Sequence, residues 1–159
     1  MTRIRTAGRR AWVAAALFGL LLTAAACHPD RPASDPGSSP SADGSGAVPI
    51  LDGAFTGTEK IGGGFGRLAA DLGNTLAVTP GHVTGVVVAF TCTGGGAVTV
   101  GAVTGGGVPA RAISGPCDGS IVRQDVDLPK PDSIGFTARV GGSLDGDFAY
   151  GYYVEKTQD

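Results

Sequence analysis

Tryptophan and methionine are nearly missing from this 159-residue chain: the one of each, Trp12 and Met1, stand at its very start. Any core further on must therefore be built from Val, Ile, Leu, Phe and Ala. Histidine is as scarce, with only His28 and His82. A Ser-His-Asp triad in the body of the chain would have to run through His82, with Ser114, Ser120, Ser133 or Ser143 as nucleophile. None of these serines stands in a Gly-x-Ser-x-Gly elbow, and within Thr79-Pro80-Gly81-His82 the histidine reads as a turn residue. Zinc sites need several His or Cys ligands, and with Cys92 and Cys117 joined in a disulfide His82 would be the one candidate left in the body of the chain. Basic residues are sparse beyond residue 26. With Arg3, Arg5, Arg9 and Arg10 set aside, eight Lys and Arg face fourteen Asp and Glu, a net charge of −6. That sign excludes nucleic acid as a partner, because phosphate binding needs clustered cations that release counterions. No long segment has helical periodicity, and no apolar run reaches the roughly 20 residues of a spanning helix.

What is present is concentrated at the N-terminus. The four arginines precede an uncharged run of 16 residues, Ala11 to Ala26, the length of a signal-peptide core. It closes on Leu22-Thr23-Ala24-Ala25-Ala26-Cys27, which resembles the lipobox of bacterial lipoproteins. The resemblance implies a lipoprotein signal peptide over residues 1–26 and a diacylglyceryl group and palmitate on Cys27. It also implies attachment through that lipid to the extracytoplasmic face of the cell membrane. Burial contributes about 0.8 kcal/mol per methylene, so two chains anchor stably where one binds reversibly. Ala24-Ala25-Ala26 also fits ordinary secretory cleavage, which would leave the protein secreted, and an uncleaved core would be a thin anchor. Cysteine parity favours lipidation: with Cys27 acylated, Cys92 and Cys117 remain as an even pair for a disulfide in an oxidising compartment. Arg9-Arg10 leaves open whether export follows the general or the twin-arginine route. The preference for Arg over Lys and the wealth of Ala, Gly and Val resemble small lipoproteins of Gram-positive actinomycetes.

Residues 27–48 are rich in Pro, Ser, Gly and Asp with almost nothing apolar to bury, and read as a lipidated N-terminus and disordered tether. Over residues 49–159, short apolar runs alternate with glycine clusters. The expectation is an all-β domain, an antiparallel β-sandwich of seven or eight strands, jelly-roll or immunoglobulin-like. Val83 to Thr93 is apolar on both faces and reads as a central strand, paired through Gly94-Gly95-Gly96 with Ala97 to Thr104 as a hairpin. Val108 to Ser114, Ser120 to Leu128, Ile134 to Val140 and Phe148 to Glu155 follow, with weaker strands near Leu51 to Thr56 and Thr75 to Thr79. Arg67 to Leu72 suits one short helical turn.

Few residues invite chemistry. Asp145-Gly146-Asp147, joined by Asp125, Asp127 or Asp132, could offer oxygens to calcium, the single cofactor in view; acids that keep sheet edges wet account for the same residues. Gly64-Phe65-Gly66-Arg67-Leu68-Ala69 has the letters of a dinucleotide loop without the helix that must follow it. Phe148, Tyr150 and Tyr152 share a core face, leaving Tyr153 on the other face as the aromatic for an exposed ligand contact, beside Asp145 and Asp147. The expected function is non-enzymatic: a module binding an envelope protein or glycan. A wall hydrolase working through Asp145 and Asp147, or a structural subunit of an envelope complex, are the alternatives.

Overall fold

Val86, Val88, Phe90 and Cys92 alternate with Val87, Ala89 and Thr91 along one strand, and all seven are buried. A strand apolar on both faces needs a neighbour on each edge and a cover on each side, and the rest of the domain supplies them. The structure, a computed structural model, describes residues 44–158 apart from Gly106 and Ala110. Cys27, the expected signal peptide over residues 1–26 and residues 28–43 of the expected tether lie outside the described residues.

Eight strands form two four-stranded antiparallel sheets. They are β1 (Lys60–Arg67), β2 (Asp71–Leu76), β3 (Val83–Cys92), β4 (Gly96–Thr104), β5 (Ala112–Pro116), β6 (Ile121–Asp127), β7 (Ile134–Gly142) and β8 (Asp147–Thr157). One sheet runs β1-β8-β3-β6 and the other β2-β7-β4-β5. Only β4 and β5 are consecutive partners; every other connection crosses between sheets. This is the double Greek key of a jelly roll, which decides against the immunoglobulin-like order, where hairpins join consecutive strands within a sheet.

The β3–β4 hairpin expected from the sequence is therefore corrected. Gly94 and Gly95, with φ of 107° and 74°, carry the chain from one sheet to the other, and β3 pairs instead with β8 and β6. A hairpin and a sheet crossing share the same local signature, alternation around glycines. Which one forms depends on distant strands, here the apolar β8 and the half-apolar β6.

Between the sheets, Phe90 meets Phe136 at 5.6 Å and Phe136 meets Tyr150 at 4.7 Å between ring centroids. Val98, Val100, Val122, Ile134, Ala138 and Tyr152 fill the remainder. Cys92 and Cys117 are disulfide-bonded, joining the end of β3 to the chain just past β5 and so one sheet to the other.

The outer face of the β3 sheet is covered by the start of the domain. A 3-10 turn at Ser45–Ala47 leads into α1 (Val48–Ala54), with Pro49 in the first turn, where its missing N–H costs nothing. Val48, Leu51 and Phe55 line one side of the helix and pack on Val87, Ala89, Ile121, Ala149 and Tyr153. Leu51 to Thr56 is thus mainly helix and turn rather than a strand, and Arg67 to Leu72 spans the end of β1, a connection over residues 68–70 and the start of β2 rather than a helical turn. Residues 44–48, grouped with the tether by composition, are packed. Gly44 has φ 81°, and a Cβ on it would overlap the Gly66 carbonyl carbon; one on Gly46 would lie 2.6 Å from Asp147 Oδ2. Among the described residues no helix is long and apolar enough to cross a membrane.

Candidate functional site

The residues singled out from the sequence do not come together. Asp147 opens β8 and is only 7% exposed. Its Oδ1 accepts from Arg67 Nη1 at 3.1 Å, joining β8 to β1, and its Oδ2 lies against Gly46 of the N-terminal turn. Asp145, in the β7–β8 connection, is exposed; its backbone N–H donates to Ser143 Oγ at 3.1 Å. A paired-acid site built on these two residues loses its second acid to the ion pair. Asp125 and Asp127 stand on the outer face of β6, held by Arg123 at 2.6 Å and Lys156 at 2.7 Å. Asp132 lies in the β6–β7 connection, where its carbonyl oxygen accepts from Thr79 N–H at 3.0 Å. Among the described residues no three of His, Cys, Asp and Glu converge. His82 is exposed in the turn before β3, and its carbonyl accepts from Gln158 N–H at 2.8 Å.

Tyr153 needs a correction. It occupies the outer face, as its parity in β8 requires, yet it is 2% exposed because α1 and the following turn cover it. Phe55 stacks on its ring at 4.1 Å and 10° between planes. An exposed contact is excluded by a helix that composition did not reveal. Its hydroxyl has no hydrogen-bond partner among the described residues. Burial, and next the charge of Asp52, raise its pKa. Tyr152, on the inner face, donates from its hydroxyl to the Asn74 carbonyl at 3.2 Å, and burial pushes its pKa far up.

A concavity lies between β5 and β6, bordered by two of the acids, Asp125 and Asp127, and by none of the tyrosines. Strands β5 and β6 are the edges of opposite sheets on one flank of the sandwich. The β4–β5 pairing stops at Gly101 and Ala112, although β4 continues to Thr104 beside β7. At this fork the Gln124 side chain takes the place of the missing strand. Its Oε1 accepts from Ala102 N–H at 2.5 Å, and its Nε2 donates to the Arg111 carbonyl at 3.2 Å. One carboxamide thereby clamps β6 to the other sheet and holds open a notch of about 430 Å³. Ala102, Ile113 and Val126 give it an apolar floor, with Arg111, Arg123, Asp125 and Asp127 around it and Val108, 90% exposed, on the loop above. Arg123 is fixed by Asp125, whose hydrogen bond and then charge raise the guanidinium pKa. Planar guanidinium, carboxylate and carboxamide groups over an apolar floor can orient and hold a polar ligand. The signal was present in the sequence: Gln124 interrupts the apolar face that Val122, Val126 and Leu128 otherwise share.

No family model matches the chain, and no curated protein does. A solved structure, that of TmCBM61 in complex with beta-1,4-galactotriose, is similar over 58% of this chain and 68% of that one, at 15% identity and a TM-score of 0.36. At that TM-score nothing about ligand or activity passes from it to this chain.

Proposed function

We propose that this chain is a non-enzymatic binding module, anchored by lipid on Cys27 to the extracytoplasmic face of the cell membrane, that takes a glycan or protein of the envelope into the notch between β5 and β6. The observation that carries the binding assignment is the notch itself, an apolar floor ringed by planar polar groups, of which Arg123, Asp125 and Asp127 are held by ion pairs and Gln124 by its two hydrogen bonds. Groups already held in place lose little freedom on binding, which lowers the cost of association. The lipobox-like Leu22 to Cys27 and the even cysteine pair Cys92–Cys117 support the anchoring.

Two measurements test the two halves. Metabolic labelling with a fatty acid should mark the protein and should fail on Cys27→Ser; an unlabelled protein removes the anchor. Calorimetric titration with soluble envelope fragments should give saturable binding that Arg111→Ala weakens at least tenfold. Saturable binding indifferent to Arg111→Ala and Asp127→Ala would move the site elsewhere, and turnover of a wall fragment would replace the module with an enzyme.

A further inference from the structure

The opposite flank of the sandwich is bounded by β1 and β2, and there the sheet edge is built differently. Exposed edges are ordinarily protected by charge, proline, shortness or bulges. Strand β6 carries Arg123, Asp125 and Asp127; β5 is five residues long and ends in Pro116; β2 carries Asp71. Strand β1 has a bulge only at its start, between Lys60 and Gly62, and then runs in regular register with β8 from Gly62 to Arg67. Ile61-Gly62-Gly63-Gly64-Phe65-Gly66 contains no charge and no proline. Its far edge has no strand partner among the described residues.

A pocket opens beside that edge. Gly63 and Ala149, on the outer face of the sheet, leave a space beneath α1 that the Lys60 chain, lying over Gly63, fills only in part. Val48 and Leu51 wall it on one side and Phe65 on the other, leaving about 200 Å³, with Phe65 53% exposed at the mouth. The space suits one leucine- or phenylalanine-sized side chain. An open backbone edge with a side-chain pocket at strand spacing is the arrangement by which a sheet accepts an added strand: main-chain hydrogen bonds supply affinity, and alternate side chains supply choice.

We infer that β1 is a docking edge for an extended peptide of a partner protein, one that places an apolar side chain in the Phe65 pocket and carries acidic residues on either side of it. Charge selects this occupant. Lys60 and Arg67 stand at the two ends of the uncharged stretch, half-exposed beyond their bonds to Asp52 and Asp147. A second copy pairing through β1 would set these cations against each other in either direction, and like charges placed opposite are destabilising. The segment from His28 to Pro40 has prolines at 29, 32, 36 and 40, too frequent for a ladder. The inference does not use the β5–β6 notch, and either can fail alone.

The test is hydrogen exchange on the full chain with a synthetic peptide of alternating threonine and leucine flanked by aspartates. Exchange within 62–67 should slow at least tenfold on saturation. The same peptide flanked by lysines should bind at least tenfold more weakly, and one N-methylated at alternate residues should give no slowing. Phe65→Asp should abolish binding while leaving protection of Val86 to Phe90 intact; if that variant unfolds, the N-methylated peptide decides. Absence of slowing at about millimolar peptide overturns the inference. So does slowing that rises with protein concentration and no peptide, which would give the edge to a second copy.

Discussion

Tyr152 and Tyr153 are neighbours in one strand, both nearly sealed from water, and removing their hydroxyls should shift stability in opposite directions. The Tyr152 hydroxyl donates to the Asn74 carbonyl at 3.2 Å, whereas that of Tyr153 has no partner among the described residues. A net intramolecular hydrogen bond contributes about 1 kcal/mol, while a buried polar group left unpaired costs about 1–3 kcal/mol. Tyr152→Phe should therefore destabilise by about 1 kcal/mol. Tyr153→Phe should stabilise by about as much, because the ring keeps its stack on Phe55 at 4.1 Å and the change removes only the stranded oxygen. With a urea dependence of about 1.5 kcal/mol per molar for a domain of this size, the midpoints should move down and up by about 0.7 M. Equilibrium urea unfolding followed by tyrosine fluorescence and circular dichroism reads both. A midpoint for Tyr153→Phe below that of the parent would refute the reasoning, since it would mean that the hydroxyl has a bond worth more than its desolvation.

Alkaline pH should act through the same rings. Burial raises the pKa of Tyr150, Tyr152 and Tyr153 in the fold, so above about pH 10 the unfolded chain loses protons that the folded one keeps, and stability falls as pH rises. The fall should be shallower in Tyr152→Phe, as urea midpoints between pH 8 and pH 11 would show. Replacing Cys92 and Cys117 together by Ala should cost about 3.5 kcal/mol, the chain-entropy value for a separation of 25 residues. A melting temperature unchanged by reductant would contradict this. Gly46→Ala would set a methyl 2.6 Å from Asp147 Oδ2 and should loosen α1 at a cost of about 1–3 kcal/mol, seen as faster exchange within 48–54.

Strands that bury one face and wet the other were legible because a period of two survives any topology. Ile134, Phe136, Ala138 and Val140 in β7 and Val122 and Val126 in β6 face the core as their alternation requires. Strand β3 was legible from its two apolar faces. Strand β1 was not, since glycine at 62, 63, 64 and 66 leaves Ile61 and Phe65 as its only apolar side chains, and the bulge between Lys60 and Gly62 turns Ile61 to the core and Phe65 outward. Helix α1 was hidden by length: in seven residues its apolar side repeats only at Val48 and Leu51, with Phe55 just beyond, too little to separate from a short strand. Partner choice was out of reach, because the crossing at Gly94 and Gly95 is decided by strands 20 to 60 residues away. At the notch, Gln124 was visible as a polar break in an apolar face. The fork it closes exists only because β5 leaves β4 at Gly101.

Glycine, which composition assigns to turns and tethers, does something else in the β1–β8 pair. Gly63 and Gly151 lie opposite each other in register on the outer face. A Cβ on Gly63 would lie 2.6 Å from Lys60 Cε, and one on Gly151 would lie 2.7 Å from Tyr153 Oη. The two bare positions therefore form a bed on which the Lys60 chain and the Tyr153 ring lie flat, and α1 closes over the ring. If this is why Gly151 is glycine, the cost of Gly151→Ala must depend on the ring. Alone it should destabilise by about 1–3 kcal/mol, as overpacking lifts the ring off its bed and against Phe55. In a Tyr153→Ala background, already destabilised by the lost ring, the same methyl meets open space and should cost less than about 0.5 kcal/mol. The double-mutant cycle would then give a coupling of at least about 1 kcal/mol. Strict additivity would place the strain of Gly151→Ala in the backbone and dissolve the link between the glycines of β1 and β8 and the helix that covers them.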